Sequence, residues 1–191
     1  QVPATRDPDY ALDEGAPSGP IKALPQLAAH NRVYTIIGGG KTAMDAVLWL
    51  LANDVDAQKI HWVRPRDSWI LNRTNIQPGE LALKSQESFL RQMIEISESA
   101  TPEDMFARLN AAGILWRLDS EVWPSMYRCA TVTPTEFTQL QRVKNVVRMG
   151  HVERIHANGL ELTEGTYALP EGTAYIDCSA DGLSKRPPQA I

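Results

Sequence analysis

An α/β fold, a parallel sheet flanked by helices, is the class that the sequence predicts, on the strength of a strand, a turn and a second strand. Val33 to Ile37 is a short run of apolar and β-branched residues, the pattern of a strand buried on both faces. Gly38-Gly39-Gly40 follows at once and opens into a helical pattern from Lys41. Ile60-His61-Trp62-Val63 is then a second apolar strand, and the crossover of about thirty residues is what a right-handed βαβ unit requires.

Between the strand and the helix, Gly38, Gly40 and Ala43 stand at the spacing G-x-G-x-x-G/A. In that context the pattern is a dinucleotide-binding fingerprint, and the sheet is expected to be Rossmann-like. Gly38 permits the tight turn, and Gly40 leaves out a side chain where a pyrophosphate would approach the backbone. Gly39 belongs to the same turn, and Ala43 is small enough for close packing of the helix on the strand. The first-turn N–H groups near Lys41 and Thr42 face an anion at the positive end of the helix dipole. An ordinary glycine-rich turn with no ligand is the plain alternative. Gly40-Lys41-Thr42 also resembles the end of a nucleoside-triphosphate P-loop, but that motif needs glycine where Thr35 stands, inside the strand.

The loop after the second strand bears on cofactor choice. An acidic residue there suits the ribose hydroxyls of NAD, whereas arginine suits the 2′-phosphate of NADP. The residues are Arg64-Pro65-Arg66-Asp67, and guanidinium matches phosphate through its bidentate fork. NADP is therefore expected, with Arg64 the first candidate, Arg66 the second and Arg73 a further one, while Asp67, which comes after both leading arginines, keeps an NAD reading open. A solvated surface charge cluster is the alternative.

Composition sets bounds. A chain of 191 residues with 43% hydrophobic and 22% charged residues suits a globular domain with a proper core. The net charge of -4 gives no reason to expect nucleic acid or an anionic membrane as a partner. No apolar run approaches a membrane span, and the proline-rich start is unlike a signal peptide. Cys129 and Cys178 have no metal-ligand or C-x-x-C spacing and read as reduced thiols in a cytoplasmic protein. The chain opens on Gln1 rather than methionine, which suggests a domain excised from a longer polypeptide.

Residues 1–30 carry repeated prolines and read as an extended connector with one short strand near Ile21 to Leu24. The organising unit follows, with a helix from Lys41 to about Leu51 whose Ala43, Val47, Leu50 and Leu51 face the sheet. Ser68 to Gly79 reads as a polar loop. About 84–142 is expected to be a helical insertion: an amphipathic helix over Leu83 to Glu98, a second from Thr101 to Ala112, and a third from Thr135 to about Arg142. Thr101 with Pro102, and the capping box Thr133-Pro134-Thr135-Glu136, mark two of the starts. Val146 to Met149 is a strand, and Asn158-Gly159 marks a hairpin between Val152–Ile155 and Leu160–Thr163. A last strand, Thr173 to Cys178, runs into Ser179-Ala180-Asp181-Gly182. No catalytic constellation emerges, and the four histidines show no metal spacing.

This order of parts resembles the NADPH-binding domain of flavoproteins with two dinucleotide-binding domains, the superfamily of flavin-containing monooxygenases and pyridine nucleotide-disulfide oxidoreductases. The matching residues are Ile36 to Asp45, Val63-Arg64-Pro65-Arg66, the hairpin at Asn158-Gly159 and the closing Tyr175 to Gly182. The resemblance implies an NAD(P)-binding domain over 31–185, with 186–191 as a tail, and cofactor contacts from Ala180 and Gly182. Asp181 departs from the family's Ala-Thr-Gly turn. With no second glycine fingerprint and no C-x-x-C, the resemblance implies that FAD is held by an FAD-binding domain of the same parent chain. NADPH would there deliver hydride to the flavin. A stand-alone nucleotide-binding protein and a P-loop-like phosphotransferase are the alternative readings.

Overall fold

The computed structural model of the chain describes residues 8–28 and 33–180. In chain order its elements begin with β1 (Ala11–Leu12), β2 (Ser18–Pro20), α1 (Leu24–Leu27), β3 (Tyr34–Ile37), α2 (Lys41–Ala52), β4 (Ile60–Val63) and β5 (Ser68–Asn72). There follow α3 (Ala82–Ser97), α4 (Pro102–Ala111), β6 (Leu115–Trp116), β7 (Met126–Val132), α5 (Pro134–Leu140) and β8 (Asn145–Val147). The chain closes with β9 (Val152–His156), β10 (Gly159–Leu162), β11 (Gly165–Ala168) and β12 (Ala174–Asp177).

The protein is a mixed α/β molecule built on a parallel five-stranded sheet in the order β2-β12-β3-β4-β8. Ile37 pairs with Val63 on one side and with Asp177 on the other, so the three central strands end level. Alternation along β3 and β4 sends Tyr34, Ile36, Ile60 and Trp62 to one face, where they pack with Ala43, Val47 and Leu50 of α2. Ile37 and Val63 join Tyr175, Ile155, Leu160 and Leu162 on the other face. That second face is covered by the sheet β1-β9-β10-β11, in which the Asn158-Gly159 turn joins β9 to β10 as expected.

Several sequence expectations are corrected. The first described stretch is more than a connector: β1 pairs with β9 and β2 pairs with β12. The short strand lies at Ser18–Pro20, while Ile21 to Leu27 is helical. The prolines explain both. Pro20 sits on an edge strand, where a missing N–H is tolerated, and Pro25 stands in the first turn of α1. Ser68–Asn72 is a strand, not a loop, because Trp69 and Ile70 bury on opposite faces of the three-stranded sheet β6-β5-β7. The stretch 84–142 is accordingly not a purely helical insertion. Its helices do form, and Thr133 Oγ1 accepts from the N–H of Glu136 (3.2 Å) while the Glu136 carboxylate accepts from the N–H of Thr133 (2.7 Å). No helix among the described residues is long and apolar enough to cross a membrane.

Candidate functional site

The level ends of β3, β4 and β12 form the floor of a cavity of about 790 Å³. The glycine turn makes one wall, and its conformation is set from three sides. The Gly38 N–H donates to the Val63 carbonyl (3.0 Å), and the Cys178 N–H donates to the Ile37 carbonyl (2.8 Å). The Trp62 indole N–H donates to the Gly38 carbonyl (2.8 Å). Gly38 has φ +126°, and a Cβ there would stand 2.6 Å from the Cys178 carbonyl oxygen. Only glycine meets both demands. At Gly39 a Cβ would come within 3.3 Å of the Arg66 carbonyl oxygen, so the β4–β5 loop lies close against the turn.

Gly40 is the N-cap of α2 in an extended conformation, and no side chain caps this helix. Its first N–H groups therefore have no intrahelical acceptor, and Lys41 and Thr42 line the cavity at that end. The Lys41 ammonium pairs with Asp45 one turn on. Ala43 is fully buried and lets α2 lie directly on the sheet.

The two leading arginines follow the end of β4 and are separated by the bend of the chain at Pro65-Arg66, since strand alternation would have put residues 64 and 66 on one face. Arg64 continues the face of Trp62, with its guanidinium 4.7 Å above the indole ring, and is only 4% exposed. It pairs with Asp67 at 3.2 Å, and Asp67 also accepts from Arg148 Nε at 2.7 Å. Arg148 donates on to Asp119 at 2.9 Å. Burial pulls the Arg64 guanidinium down to about 10, while Asp67 opposes the shift. Arg64 faces a smaller recess of about 280 Å³ and does not line the main cavity, whereas Arg66 is exposed and does line it. Arg73 turns elsewhere: it donates to the Thr131 carbonyl at 3.0 Å and lies 3.7 Å from Glu136. Ala180 lines the cavity, and Gly182 lies outside the described residues. The structure thus brings Gly38, Gly39, Gly40, Lys41, Thr42, Arg66 and Ala180 around one space, and leaves Arg64 and Arg73 out of it.

Sequence reading missed the opposite wall. Tyr10 enters from the first described segment, and Ser68, Met126 and Cys129 come from β5 and β7. Met126–Val132 gave no clear strand signal, because Arg128 and adjacent apolar pairs break the alternation. Burial pushes the Tyr10 hydroxyl well up, with Asp177 adding to it, and pushes the Cys178 thiol up to about 12. Both groups stay protonated at neutral pH. Asp177 accepts from the Ser179 N–H (2.9 Å) and hydroxyl (2.6 Å), which shapes the turn leaving β12. No metal-binding cluster of His, Cys, Asp or Glu occurs among the described residues. The walls carry backbone N–H groups with Lys41 and Arg66, and the acidic side chains Asp9, Glu153 and Asp177 line the same space.

Fold and cavity together define a mixed α/β protein with a cleft at the carboxyl ends of parallel strands. No family model matches the chain. It is similar over all 191 residues, at 41% identity, to proteins described as uncharacterized from Mycobacterium bovis and Mycobacterium tuberculosis. The chain spans 35% of the length of those relatives.

Proposed function

We propose that this chain is the NADPH-binding unit of a flavin-dependent oxidoreductase, with a Rossmann-like sheet that holds the dinucleotide across the ends of β3, β4 and β12. The observation that carries the reading is the position of the cavity. The chain runs outward from β3 through β4 to β8 and then returns to β12 on the other side of β3, so the sheet order reverses between β3 and β12. Ligands of open α/β sheets sit in the crevice at such a switch point. Gly38 and Gly39 keep the turn free of side chains, the first N–H groups of α2 suit a pyrophosphate, and Arg66 suits a 2′-phosphate.

Bound there, NADPH would supply a hydride for a flavin carried by an FAD-binding part of a longer polypeptide. The residues of this chain bind and orient; none is assigned a step in bond making. The two free thiols suit a cytoplasmic setting. Arg66 replaces Arg64 as the residue for cofactor choice, because a buried guanidinium committed to Asp67 and the Trp62 face is not available to a ligand.

Calorimetric titration with NADPH, NADH and magnesium-ATP tests the reading. NADPH is expected to bind more tightly than NADH, and Arg66→Ala should remove the preference at a cost of roughly 1.5–3 kcal/mol, the range for a charged hydrogen bond. Binding of magnesium-ATP alone would sink the proposal in favour of a phosphotransferase. A full flavin-free gene product that binds NADPH would favour a stand-alone nucleotide-binding protein.

A further inference from the structure

Helix α3 is formed but hardly buried. None of its residues from Ala82 to Ser97 is fully buried, and it touches the rest of the molecule along a narrow strip that includes Ser85 and Ile96. Beside that strip runs an apolar face at helical spacing: Leu83 is 66% exposed, Phe89 63%, Leu90 62%, Met93 47% and Ile94 45%. A soluble surface rarely carries so many large apolar side chains in one stripe unless something covers them. Short helices in water depend on such faces being packed, so the sequence has invested α3 with a contact that the described residues do not supply.

The flanks of the stripe narrow the choice of occupant. Lys84 and Arg91 are interspersed with Glu87, and Glu95 and Glu98 pair with Arg108 of α4 at 3.4 and 3.3 Å. That mixed, nearly balanced border lacks the basic character that draws an amphipathic helix to an anionic lipid surface. It is the polar rim expected around a protein–protein contact. The relatives that match the chain along its whole length are far longer than it, with the chain making up 35% of each.

We infer that the apolar face of α3 is a docking surface for the remainder of a longer polypeptide of which this chain is one unit. The occupant is an apolar surface of that remainder, seated on Phe89 and Leu90 with Leu83, Met93 and Ile94 around them. The inference stands on α3 and the length of the relatives, and it holds or fails independently of any nucleotide in the cavity.

Side-chain footprinting by a photogenerated carbene tests it on the intact gene product, with the 191-residue chain measured in parallel and Leu12, 51% exposed, as an internal reference. The expected result is labelling of Phe89 and Leu90 about tenfold lower in the intact product, with Leu12 changed much less. The double substitution Phe89→Ser, Leu90→Ser should leave the melting of the 191-residue chain nearly unchanged and lower that of the intact product. Equal labelling of the stripe in both proteins would overturn the inference. So would a gene product no longer than this chain, or a concentration-dependent dimer of the chain that the double substitution dissolves, since the occupant would then be a second copy.

Discussion

At the residue scale, the turn and the loop facing it carry the sharpest consequences. Gly38→Ala has to relieve both a left-handed backbone and a 2.6 Å approach to the Cys178 carbonyl. We expect it to destabilise the fold by roughly 1–3 kcal/mol, read as a fall in the urea midpoint at constant slope. Asp67→Ala removes the counter-charge of a guanidinium that is 4% exposed. Leaving a buried charge unpaired costs about 3–5 kcal/mol, so this variant should be among the least stable single substitutions in urea titration. Arg66→Ala, on an exposed residue, should leave the same titration unmoved. The motif spacing in Arg64-Pro65-Arg66 placed both arginines after a strand. Which one met the cavity depended on the bend after Val63, which leaves Arg64 over the Trp62 ring and carries Arg66 to the other side, and neither the bend nor the stacking leaves a periodic mark in the sequence.

At the element scale, two contacts tie secondary structure to conditions. Thr133→Ala removes a cap that holds the start of α5 against the core, and about 1 kcal/mol should be lost in thermal melting. His61 of β4 shares a 2.8 Å hydrogen bond with the Tyr167 hydroxyl of β11, and its half-buried ring has a pKa held below the ordinary 6.5 by desolvation. The unfolded chain thus takes up this proton at higher pH than the folded one. Stability from the neutral ring is present above about 6.5 and falls as the pH drops through the folded value. A His61→Asn variant should lose less stability than the parent between neutral and mildly acidic pH, measured by urea titration across that range. Helices and capping boxes were legible because each is written in contiguous residues, as at Thr101-Pro102 and Thr133 to Glu136. The strands β5 and β7 were not. They pair with register shifts, and Ser68 and Asn72 look polar in sequence although Asn72 is buried and bonded to the Gly113 carbonyl.

For the whole molecule, the proposed ligand should act as a stabiliser. At a hundredfold excess over its dissociation constant, NADPH should add about 2.7 kcal/mol, seen as a rise in melting temperature that magnesium-ATP does not reproduce. The βαβ unit and the hairpin after β8 were readable because they are local in sequence. The role of the first described segment was not, because its partners lie at the opposite end: Ser18 pairs with Tyr175, and Ala11 with Arg154. This pairing also orders events in time. During synthesis, at about 5–20 residues per second, β1 and β2 emerge before the other described strands but find their neighbours only when β9 and β12 have left the ribosome. Closing so long a loop is slow relative to forming α2 or the hairpin, so the parallel sheet should complete late, with its earliest residues the last to lock.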